Sequence, residues 1–216
     1  MEEDSIEERR IYHVTYAKPL FILMLIVGLG GLCWAILFFG ITQRLILGAV
    51  LGLLILGIML VIRKFAAKQA MLKEMSSAIF YVIGISWLPW YRTPPIDWTA
   101  TSAGPTVLYM GLAYLNLIML SSLDSESDKK AGFSSIATII PQERLLPRIR
   151  ILAILLIFFA LFAVILVNSF YRIFPALLSI MLLLHYLSFF SSGLKPEQIR
   201  RRMEACFMLP LLLLFF

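Results

Sequence analysis

Charge is the scarcest commodity in this chain. Asp, Glu, Lys and Arg make up 15% of its 216 residues, against about 25% in soluble domains. That shortage excludes an ordinary water-soluble globule. The chain has two cysteines and two histidines, and nothing in their placement suggests a disulfide framework or a zinc site. Cys33 and Cys206 both sit in apolar segments and read as reduced, buried thiols. The N-terminus lacks the apolar core of a removable signal peptide, since its first eighteen residues are polar and include Glu2, Glu3, Asp4, Glu7 and Glu8. Internal repeats, a Walker loop, a Gly-rich nucleotide fingerprint and a metalloprotease helix motif are missing too. No charge sits at the middle of any apolar span, which argues against a transporter, whose ion pathway usually needs one.

What is abundant is hydrocarbon. Hydrophobic residues form 61% of the chain, and mean hydropathy is +0.90. Seven apolar segments stand out: Pro19–Gly40, Leu45–Ile62, Ser76–Trp90, Gly104–Leu123, Ile151–Val167, Ile173–Phe190 and a terminal one ending at Phe216. A helix crosses a bilayer with roughly 20 residues. The first, second, fourth, fifth and sixth reach that length once their ends are included. The third does so only by continuing the amphipathic stretch Arg63–Met75. The last does so only from Ile199, with Arg200, Arg201 and Arg202 snorkelling. The expected fold is therefore all-α, a multi-pass transmembrane bundle of about seven helices forming one integral membrane domain.

The basic residues set its orientation. Along the successive connections they number 3, 1, 4, 1, 5, 1 and 4, and by the positive-inside rule the N-terminus is cytoplasmic and the C-terminus lies on the far side. This orientation excludes a seven-helix receptor with an outside N-terminus. The net charge of +6 is thus a topological signal and not a nucleic-acid one. A prokaryotic cytoplasmic membrane is the expected location. Trp87, Trp90, Tyr91, Arg92 and Trp98 around Pro94 and Pro95 read as an interfacial aromatic belt on a far-side turn. Residues 124–148 form the expected cytoplasmic loop.

The most informative stretch runs from Asn116 to Ser135, where an apolar helix ends in Asp124 and Asp128, then Lys129, Lys130 and Gly132. Two carboxylates four residues apart share a helical face, about 6 Å from one another, so both reach one cation. Magnesium often takes one or two protein carboxylates and completes its shell with phosphate oxygens. Carboxylates near a helix C-terminus oppose its dipole. A bound cation offsets that cost, as Lys129 and Lys130 do in part.

This stretch resembles the second aspartate-rich motif of the UbiA superfamily of intramembrane prenyltransferases. The shared pattern is Asp-x-x-x-Asp-x-x-x-Gly-x-x-Ser, here Asp124, Asp128, Gly132 and Ser135. Lys73-Glu74 ahead of Tyr81–Pro89, and three apolar segments after the motif, are similar to the family's neighbouring helices. The resemblance implies nine helices around a cavity open to the membrane, with Asp124 and Asp128 at its cytoplasmic mouth. It also implies Mg2+ between two aspartate-rich motifs and the diphosphate of a polyprenyl donor, and a lipophilic acceptor that attacks the resulting allylic cation. If the seven segments correspond to the family's last seven helices, the first two and their Asn-x-x-x-Asp-x-x-x-Asp motif have no counterpart here. Asp4 and Glu8 share its i,i+4 spacing but belong to a polar tail.

By the same resemblance Lys68 and Lys73 stand where diphosphate-contacting basic residues occur, though as loop charges they also serve orientation. Asn116, about 12 Å from Asp124 on a similar face, is either a ligand or an interhelical hydrogen-bonding residue. Lys129 and Lys130 complete the substrate-binding set. His13 and His185 have no second ligand at helical spacing. Two function classes remain. One is a short UbiA-like prenyltransferase that transfers a polyprenyl group. The other is a non-catalytic membrane protein that binds an isoprenoid or quinone-like lipid, or serves as a subunit of a membrane complex.

Overall fold

The computed structural model describes residues 12, 15–65, 70–92, 100–130, 132 and 134–211. Among these residues there is no strand, and nine α-helices account for the fold. The chain forms two compact units, residues 1–55 and 56–216.

In the first unit, α1 (Ala17–Phe39) is apolar on every face. Phe21, Leu25, Val27, Trp34 and Phe38 are all exposed, as hydrocarbon solvent permits and water does not. Cys33, expected to be buried, is exposed on this helix for the same reason. The helix closes where the Gly40 N–H donates to the Ile36 carbonyl at 2.8 Å, with Gly40 in the left-handed region that a side chain disfavours. Next comes α2 (Gln43–Phe65), which begins in this unit and continues past its last residue; the Thr42 hydroxyl accepts a hydrogen bond from the Leu45 N–H at its start.

The second unit holds α3 (Ala70–Arg92), α4 (Ala100–Leu123), α5 (Ser125–Lys130), α6 (Ile136–Ile139), α7 (Gln142–Leu166), α8 (Ile173–Phe189) and α9 (Pro196–Cys206). At its centre, α4 packs against α3, α7 and α8, while α8 packs against α7 and α9. Leu112, Leu115 and Met119 of α4 meet Leu145 and Ile149 of α7, Met181 and Leu182 of α8 and Met203 of α9 in one cluster of fully buried side chains. Small residues let the helices close up. Ala78 and Ala113 are buried between α3 and α4, and a methyl on Gly111 would come within 2.5 Å of Leu156 Cδ2 on α7.

Four stretches are long and apolar enough to cross a membrane: Ala17–Phe38, Leu45–Ile62, Ala103–Leu123 and Gln142–Leu166. Ile173–Phe189 has 17 residues, at the lower end of spanning length, because a 3₁₀ turn at Ser169–Tyr171 precedes it and the chain turns at Phe190. The terminal segment differs from expectation. Its helix α9 stops at Cys206 after 11 residues and carries three arginines, and a helix of that length does not cross a bilayer by itself. Residues 124–148, the expected connection between spans, carry secondary structure of their own. They are helical over most of their length, in α5, α6 and the first turns of α7. The expected aromatic belt, His13 and the acidic N-terminal tail lie outside the described side chains.

Candidate functional site

The helical hydrogen-bond ladder runs almost unbroken from α4 into α5. Asp124 N–H donates to the Leu120 carbonyl at 3.0 Å and Asp128 N–H to the Asp124 carbonyl at 2.8 Å, which puts the two aspartates one turn apart. A polar clamp fixes this junction. Gln142, at the start of α7, donates from Nε2 to the Ser122 carbonyl and to Ser125 Oγ, both at 2.8 Å, and accepts from Ser122 Oγ at 3.0 Å. One amide therefore uses both of its ends to hold the exit of α4 against the entry of α7.

Asp124 is not free. Its Oδ1 ion-pairs with Arg200 Nη2 of α9, and both side chains are partly exposed. Asp128 lies close enough to Glu74 of α3 to push the Glu74 pKa upward. Glu74 precedes the apolar part of α3 and is buried. Its Oε1 accepts the Ile136 N–H at 2.9 Å, at the first residue of α6. Burial is the main cause raising its pKa above the ordinary carboxylate value, while the Ile136 N–H, the Ser121 hydroxyl and Lys73 lower it. Oε2 is buried without a well-formed partner. Lys73 Nζ donates to the Ser134 carbonyl at 3.4 Å, so Lys73 and Glu74 together tie α3 to the segment that follows the aspartates.

The structure thus gathers Asp124, Asp128 and Lys73, and adds Glu74, Arg200, Ser121 and Gln142, none of which had been assigned a role at the site. Glu74 carried a signal, being the only acidic residue between Glu8 and Asp97. Arg200 was indistinguishable from its two neighbours. Asn116 stays deeper on α4, half-buried, with its Oδ1 unpartnered. Lys129 and Lys130 are exposed at the end of α5, and Lys68 lies outside the described residues. His185 is fully buried in α8, its Nδ1 2.8 Å from the Met181 carbonyl and its ring edge-on to Phe207.

For a divalent cation, Asp124 and Asp128 supply the hard oxygen donors that magnesium prefers. Among the described residues, no group of three or more His, Cys, Asp and Glu side chains gathers as a metal cluster. This donor set therefore suits a metal that arrives with a phosphate ester, not one caged by protein alone. Leu112, Leu115, Met119, Met181 and Leu182 fill the space between α4 and α8. A groove of about 1040 Å³ opens instead against α8 and α9, and neither Asp124 nor Asp128 lines it. Compared with protein-family models, curated proteins and solved structures, the chain matches none.

Proposed function

We propose that the chain is a UbiA-like, polyprenyl-diphosphate-dependent prenyltransferase homologue of low activity, acting on a lipophilic acceptor. The observation that carries this reading is a pair of carboxylates one turn apart at the end of an apolar helix, with Lys73 tied to the segment that follows them. A diphosphate brings about three negative charges, which a carboxylate pair tolerates only through a metal and nearby cations. Magnesium, when bound, neutralises the departing diphosphate. The part of this chain is to hold the metal through Asp124 and Asp128 and the phosphate oxygens through Lys73.

A second reading has its own observation. Arg200 already occupies Asp124, as expected of a non-catalytic relative that binds an isoprenoid lipid or joins a larger membrane complex. Both readings are tested on the purified chain in detergent, by binding of a fluorescent polyprenyl diphosphate with and without magnesium. Weak, magnesium-dependent binding that D124N/D128N abolishes supports the metal site. Equal binding by parent and double variant would reduce the aspartates to surface charges. Turnover separates the two classes. Rates of order 1–10 per second mark an ordinary enzyme, and none at all favours the binder.

A further inference from the structure

The groove against α8 and α9 has a chemistry of its own. Arg150 of α7 and Arg202 of α9 supply two guanidinium groups, Ser188, Ser191 and Ser192 supply hydroxyls, and among the described residues no carboxylate lines it. Neither arginine has an ion-pair partner among the described residues. Arg150 is held with its guanidinium 4.8 Å above the Phe190 ring, a contact that orients the fork while leaving its N–H donors available. Leu184 and Leu187 form part of the wall, and both are exposed on α8. Gly193, in the left-handed region, lies in the turn between α8 and α9, beside Ser191 and Ser192 of the lining.

We propose that this groove binds an anionic glycerophospholipid, with the phosphate between Arg150 and Arg202 and an acyl chain along Leu184 and Leu187. Charge complementarity commits it to an anion, because two arginines at one concave site, neither ion-paired among the described residues, would otherwise repel one another. The exposed leucines commit that anion to one with a hydrocarbon tail. The site uses residues other than those of the Asp124 centre. Arg200 serves that centre and Arg202 the groove, and on a helix residues two apart point in nearly opposite directions.

Native mass spectrometry of the full chain in detergent, titrated with phosphatidylglycerol or phosphatidylcholine of matched acyl chains, tests this. The expected result is one tightly held phosphatidylglycerol and weak binding of phosphatidylcholine. R150Q/R202Q should lower phosphatidylglycerol affinity about 30-fold, at roughly a factor of five per arginine, while R172Q leaves it unchanged. S191W fills the groove from an exposed loop position with both arginines intact, and should also abolish binding. Inorganic phosphate in millimolar excess should fail to displace the lipid. Equal binding of the two lipids, an unchanged affinity in R150Q/R202Q or S191W, or full displacement by inorganic phosphate would each overturn the proposal. The last outcome would assign the groove to free phosphate.

Discussion

Replacing Glu74 separates two roles that one carboxylate can play. As the acceptor for Ile136 N–H it holds α6 against α3, and as a buried charge it opposes folding. Glu74→Ala leaves that N–H buried without an acceptor, at about 1–3 kcal/mol. It also removes one buried methylene, at about 0.8 kcal/mol. A loss of about 2–4 kcal/mol follows. Glu74→Gln keeps an acceptor oxygen for Ile136 and removes the buried charge, so it should be no less stable than the parent at pH 7. The pH dependence carries the sign. Burial raises the folded pKa above 4.5, so within that window the folded chain binds more protons than the unfolded one. Stability contributed by this group therefore falls as pH rises from about 4.5 and levels off beyond the folded pKa. Glu74→Gln should lack that decline and gain on the parent between pH 4 and pH 7. Denaturant titrations in detergent at both pH values measure this directly. If Glu74→Gln were as damaging as Glu74→Ala at pH 7, the charge and not the hydrogen bond would hold α6, and the reasoning would fail.

Three other outcomes are expected. Gln142→Ala removes the amide that meets Ser122 and Ser125 and should cost about 1–3 kcal/mol in the same titrations; a neutral result would mean that water replaces the clamp. Gly111→Ala brings a methyl against the terminal methyls of Leu156, which can turn away, so its stability should stay within about 1 kcal/mol of the parent; a loss of about 3 kcal/mol would mean that Leu156 is locked in place. Reporter fusions at Lys129 and at Arg172 flank Gln142–Leu166 and should report opposite sides of the membrane, with Lys129 cytoplasmic; matching sidedness would refute the orientation read from the basic residues.

Periodicity and length made the apolar helices legible because hydrocarbon solvent asks little else of a span. Pro19–Gly40 and Leu45–Ile62 differ from α1 and α2 by at most a few residues. What stayed hidden was polar. The 124–148 segment looks like a loop because its apolar residues are sparse, yet it folds. Its backbone groups find partners far away in sequence, such as Glu74, 62 residues from Ile136. Such a contact leaves no local pattern. Asp124 and Asp128 were legible as a pair, since i,i+4 spacing is local, whereas the guanidinium on Asp124 comes from 76 residues further along.

The arginine triplet of α9 shows why charge counting reaches orientation but not chemistry. As a set, Arg200, Arg201 and Arg202 are the basic cluster that topology rules count, and any order of them would serve. A helix advances about 100° per residue, so consecutive arginines cannot face one partner. Met203 and Ile199, buried against the bundle, fix the rotation of α9. With that rotation set, Arg200 meets Asp124, Arg201 is exposed, and Arg202 enters the groove. The buried apolar residues of this short helix thus decide what each cation does. A change at Met203 should therefore disturb the aspartate pair and the groove together, though it touches the charge of neither.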